Sequence, residues 1–101
     1  MSSFYKVKIS FNSKDDNTVP KPVKGEYFRP FFNDVSQKSD SDGVVKFETD
    51  LTDNYNEKIY LLYKNSNQPL GNVKYNLNSN NISGDAQIIL SYSQALSLGL
   101  A

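Results

Sequence analysis

Tyr5-Lys6-Val7-Lys8-Ile9-Ser10-Phe11 alternates without interruption: Tyr5, Val7, Ile9 and Phe11 share one face, and Lys6, Lys8 and Ser10 share the other. Successive side chains of an extended strand point to opposite faces, so this stretch predicts a strand with one buried and one wet face. The pattern recurs further along the chain. Val45 and Phe47 alternate with Lys46 and Glu48 over residues 44–49, just after the turn signal Asp42-Gly43. Val73, Tyr75 and Leu77 alternate with Asn72, Lys74 and Asn76, and Ala86, Ile88, Leu90 and Tyr92 line one face of a later strand. Residues 59–63 are apolar on both faces, which predicts a central strand covered on both sides. Residues 23–32 are rich in aromatics but broken by Pro30, the pattern of an edge strand or a strand ending in a bend. Residues 12–22, 33–42, 65–71 and 78–84 read as loops from their asparagine, serine, aspartate, glycine and proline content.

No stretch holds a helical apolar period across three turns, and six or seven strands joined by turn-rich loops predict an all-β fold. The expected architecture is a single Greek-key β-sandwich domain over residues 1–101, mostly antiparallel. Its expected core is Tyr5, Val7, Ile9, Phe11, Val45, Phe47, Ile59, Leu61, Val73, Tyr75, Leu77, Ile88 and Leu90.

Pro22-Val23-Lys24-Gly25 followed by Ser41-Asp42-Gly43-Val44-Val45-Lys46-Phe47 resembles the front half of transthyretin-like (prealbumin-like) domains. There a proline–valine–x–glycine segment opens one strand, and an Asp-Gly turn leads into a strand carrying an aromatic. The resemblance covers residues 5–63. It implies a sandwich of transthyretin-like type, beside the immunoglobulin-like alternative, and a binding, spacer or assembly role rather than an activity.

Composition removes several function classes. The 101 residues contain no histidine, cysteine or tryptophan, and 11 basic residues balance 11 acidic ones. Without cysteine there is no disulfide framework, zinc knuckle or thiol nucleophile. Without histidine the commonest general base and transition-metal ligand are missing. A neutral chain with pI near 6.1 lacks the basic footprint of a nucleic-acid binder. No apolar run approaches the roughly 18 residues of a membrane-spanning helix, so no membrane insertion is expected. The start of the chain carries no signal-peptide pattern. A cytoplasmic location is therefore expected, with a secreted, virion or surface location left open.

The remaining chemistry yields three readings. The first is a non-enzymatic module that self-associates or binds a protein partner. It rests on the C-terminal segment, where no charged residue follows Asp85 and where Leu96, Leu98 and Leu100 stand two apart. That spacing predicts a last strand, closing either its own sheet or a neighbour's. Arg29, the chain's single arginine, lies between Phe28 and Pro30 and is a second anchor for an interface. The second reading is a small lectin, with Tyr75 as a stacking ring and Asn76, Asn78, Asn80 and Asn81 as amides for sugar hydroxyls. No cofactor is otherwise expected, but Asp40 and Asp42 are candidate calcium ligands, since carboxylates two apart in a loop suit a hard cation. Their Asp-Ser-Asp-Gly loop lacks the later glycine and glutamate of an EF-hand. The third reading is a hydrolase with a serine or carboxylate centre. No nucleophile elbow supports it, and Glu26 and Glu48 are expected on wet strand faces.

Overall fold

A computed structural model of the chain describes residues 3–14, 19–30, 36–49, 59–63, 69–73, 77–78, 82 and 86–100. They are mostly strand, arranged as two sheets with one short helix. The elements are β1 (Ser3–Phe11), β2 (Lys21–Pro22), β3 (Tyr27–Pro30), β4 (Gln37–Lys38), β5 (Val44–Thr49), β6 (Ile59–Tyr63), β7 (Pro69–Val73), β8 (Gln87–Leu90) and α1 (Tyr92–Ser97). One sheet joins β2, β5 and β8 to β1; the other runs β4-β3-β6-β7. All pairings are antiparallel except that of β8, which runs parallel to β1.

The alternation of β1 does what its sequence predicts as far as Ile9; beyond it Ser10, expected on the wet face, is buried and Phe11 only partly so. Tyr5, Val7 and Ile9 are completely buried, while Lys6 and Lys8 stay half-buried on the outer face. β5 repeats the pattern, with Val45 and Phe47 buried and Lys46 and Glu48 exposed. The register sets Tyr5 opposite Phe47, their ring centroids 5.3 Å apart. In the other sheet the register sets Phe28 opposite Tyr63, with centroids 5.4 Å apart. All four rings belong to one core cluster. Tilted pairs of this kind add about 0.5–1.5 kcal/mol each beyond the area they bury. β6 is central, between β3 and β7, and Leu61, Leu62 and Tyr63 are all buried.

Three expectations are corrected. Residues 23–32 do not form one strand. The chain leaves the first sheet after β2, bends at Gly25 and enters the second as β3, which is flanked by β4 and β6 rather than lying at an edge. The strand expected over residues 72–77 starts earlier, as β7 from Pro69 inside the expected loop, and its residues 74–76 lie outside the described residues. Its pairing with β6 slips between Leu61 and Leu62, so Leu70 is an extra residue. Leu70 and Val73 are both core residues in consequence, which breaks the simple alternation. Of the expected core, Phe11 and Leu77 are only partly buried, while Val23, Phe28, Tyr63, Leu70 and Ala95 join it. Tyr75 and the side chain of Ile59 lie outside the described residues. The third correction is the C-terminal segment, which is helical.

The N–H and C=O of one strand residue point to the same edge. The Ile9 N–H donates to Gly43 O (2.8 Å), and the Ile9 C=O accepts from Val23 N–H (3.0 Å). β5 and β2 therefore lie end to end along one edge of β1, meeting at Ile9, and β8 takes the opposite edge. Gly43 stands in this junction with φ +79°; a Cβ there would sit 2.4 Å from Ile9 O and 3.2 Å from Val23 N. Both the backbone angle and the space demand glycine. Nearby, two of the four segments that cross between the sheets, β2 to β3 and β4 to β5, are tied together. Gly25 N–H donates to Ser39 O, Ser39 N–H to Glu26 O, and Glu26 N–H to the buried Ser39 Oγ at 3.1 Å.

Gly43→Ala is expected to lower stability by about 3 kcal/mol or more, combining left-handed strain with a backbone clash. Gly99→Ala shares the positive φ (+78°) but meets nothing within 4 Å, so about 1 kcal/mol is expected there. Urea unfolding midpoints of the two variants check the difference.

Candidate functional site

The uncharged C-terminal segment is built as a cap on the core. Ser91 is the N-cap of α1, in extended conformation, and its Oγ accepts from Gln94 N–H at 3.2 Å. Gly99 ends the helix: its N–H donates to Leu96 O, and Leu100 N–H reaches back to Ala95 O at 2.8 Å. Those two bonds and the positive φ form a Schellman stop. Ala95 is completely buried, and Leu98 and Leu100 pack against the same cluster. The segment thus closes its own core, as a helix and turn rather than as a strand. The leucine spacing misled because only Leu96 of the three lies inside α1. The Ser91-x-x-Gln94 pattern is a capping signature, and with Gly99 it could have revealed the helix.

Of the proposed interface residues, Leu98 and Leu100 face the chain's own core, and Leu96 is 52% exposed. Arg29 is half-buried on β3 of the second sheet, opposite Leu62. Sequence reading missed Ile89, whose side chain is 53% exposed on β8 while Ile88 and Leu90 on either side are buried. Among the described residues no strand pairs with the edge of β8 away from β1. Where the helix stop approaches β2, an open groove of about 340 Å³ lies between Phe11, Pro22, Val23 and Lys24 on one side and Gly99 and Leu100 on the other.

The other predicted positions are engaged in the fold or lie outside the described residues. Asn78, with φ 60°, donates its N–H to Phe4 O (2.7 Å) and accepts Phe4 N–H at its Oδ1 (3.2 Å). Its amide oxygen serves β1 rather than a ligand. Tyr75, Asn76, Asn80 and Asn81 lie outside the described residues. Asp40 Oδ1 accepts from the N–H groups of Asp42 and Val44, both at 2.9 Å, which fixes the turn into β5. Among the described residues no group of three or more His, Cys, Asp or Glu could hold a metal ion. Glu26 is not on a wet strand face. It is half-buried in the crossing segment, where its Oε2 accepts the Tyr63 hydroxyl at 2.9 Å. Glu48 is exposed as expected.

On the outer face of the first sheet, Lys6 and Lys46 stand directly opposite each other. Both ammonium groups lie over the Phe4 ring, at 6.0 and 4.3 Å from its centroid. Like charges in this position repel, and the ring offsets part of that.

Among the described residues no helix is long and apolar enough to cross a membrane. Comparison with known protein families, curated proteins and solved structures finds no match.

A chain ending at Ser93 loses Ala95, Leu98 and Leu100 from the core. It is expected to unfold, or to melt well below the full chain, by circular dichroism. Ser91→Ala is the milder change and is expected to cost about 1 kcal/mol through loss of the helix cap.

Proposed function

We propose that the chain is a non-enzymatic assembly module that self-associates, or binds a protein partner, through a strand edge and its uncharged C-terminal segment. The observation that carries this reading is how that segment divides its apolar side chains. Ala95, Leu98 and Leu100 anchor it to the core, while Ile89 and Leu96 remain more than half exposed with no charged side chain in residues 86–101. Natural sheets protect exposed edges with lysine, proline or bulges, and β8 carries neither lysine nor proline.

The same reading takes the two sheets as a Greek-key sandwich of transthyretin-like or immunoglobulin-like type. Support comes from the segments that cross between the sheets and from one core cluster drawn from both sheets. A cytoplasmic location goes with it, on the lack of cysteine. The lectin alternative has less support, because Asn78 already bonds β1.

Light scattering coupled to size exclusion tests the proposal. The full chain is expected to exceed its 11.4 kDa monomer mass as concentration rises from about 1 μM to about 1 mM, the span of weak to moderate association. A mass that stays at the monomer value throughout overturns it.

A further inference from the structure

The open edge of β8 has a defined hydrogen-bonding face. Leu90 C=O accepts Asn12 N–H at 2.9 Å, so the backbone groups of Leu90 point toward β1. Alternation then directs those of Ile88 the same way and those of Gln87 and Ile89 outward. The outward side chain at the centre of this edge is Ile89, and among the described residues β8 pairs with β1 alone. The stop after α1, at Gly99 and Leu100, lines the groove beside β2, which pairs with the other side of β1.

A strand edge is completed by another strand, and the composition of this one points to which. In a two-fold interface every residue meets its own surface again, so a charged edge would confront like charge. Gln87-Ile88-Ile89-Leu90 has no charge to confront, and neither has the rest of residues 86–101. No like-charge repulsion therefore opposes pairing of this strand with a second copy of itself.

We infer that a second copy of this chain docks on β8, with β8 against β8 in antiparallel register, so that the first sheet continues across a two-fold axis. This rests on the reading of the chain as a self-associating module and assigns its surface. In the register that sets Gln87 opposite Ile89 of the other copy, the outward N–H and C=O groups of both strands pair. That forms about four backbone hydrogen bonds. Ile89 and Gln87 of the two copies then cover one another on the outer face. Because no charge takes part, association is expected to change little with added salt. A two-fold contact through the Lys6, Lys46 and Phe4 face would instead set like charges against each other and strengthen as salt screens them.

The experiment uses the full chain. Amide hydrogen exchange by NMR is compared at concentrations where the chain is monomeric and where it is associated. The association constant is measured for wild type, Ile89→Lys and the control Val19→Lys, at an exposed site two residues before β2, which pairs with the other edge of β1. Circular dichroism confirms that each variant is folded. The expected result is slower exchange at the Gln87 and Ile89 amides on association. Ile89→Lys should associate at least about tenfold more weakly, with Val19→Lys unchanged. If the wild type associates while those amides keep their dilute exchange rate, or while folded Ile89→Lys associates equally well, the β8 assignment is overturned. Self-association then stands through another surface. If the wild type never associates, both fall together. Should Ile89→Lys not fold, the exchange measurement on the wild type decides alone.

Discussion

The structure depends on one close approach, that of Gly43 to the Ile9 carbonyl. A single β1 residue gives its N–H to Gly43 and accepts Val23 N–H at its oxygen, so two strands share one edge of β1 without a gap. Each of those strands leads into a segment crossing to the other sheet, β2 toward β3 and β4 toward β5. Fixing their meeting point therefore fixes how the two sheets are joined. The bonds among Gly25, Glu26 and Ser39 hold the crossings beside each other, and the Asp40 carboxylate sets the turn before Gly43. Any side chain at Gly43 would push the shared edge apart.

From this junction the rest follows by packing. Rows of apolar residues on β1 and β5 face those of β3 and β6, and the open end of the core is closed by Ala95 and the turn after it. The anchored turn and the open strand are neighbours in sequence, separated only by Ser91 and α1. The cap therefore holds β8 in place from its C-terminal side, while among the described residues no strand pairs with its outer edge. Charge is segregated in the same way. Lys6 and Lys46 of the first sheet lie over Phe4, and the segment from residue 86 onward has no lysine.

Elements with one dry and one wet face were legible from sequence. In β1 and β5 every second residue is apolar because one face meets the core and the other meets water. β6 was legible as a central strand for the complementary reason. β7 was hidden by Pro69 and Gly71, which usually mark loops, and by the extra residue at Leu70. Proline is tolerated there because β7 lies at the edge of its sheet. β2 and β4, of two residues each, are too short to show any period. The helix was hidden by leucines whose regular spacing spans two different conformations. The candidate site was legible as an uncharged segment, but not as the particular residues that face outward. Burial of Leu98 and exposure of Ile89 are decided by partners distant in sequence. Asn78 shows the same limit: one amide in an asparagine-rich stretch is set apart by a backbone angle and by Phe4.

The parallel pairing of β1 with β8 also governs the order in which this protein can be made. β1 leaves the ribosome before every other strand of this fold, yet one of its edges is completed only by residues 87–90, and Leu100 packs against the core later still. Contacts so distant in sequence form late, because a long loop must close before they reward the chain. The growing chain thus leaves that edge of β1 unpaired until β8 has followed. The alternating lysines on its other face keep that waiting strand in solution until its last partner emerges.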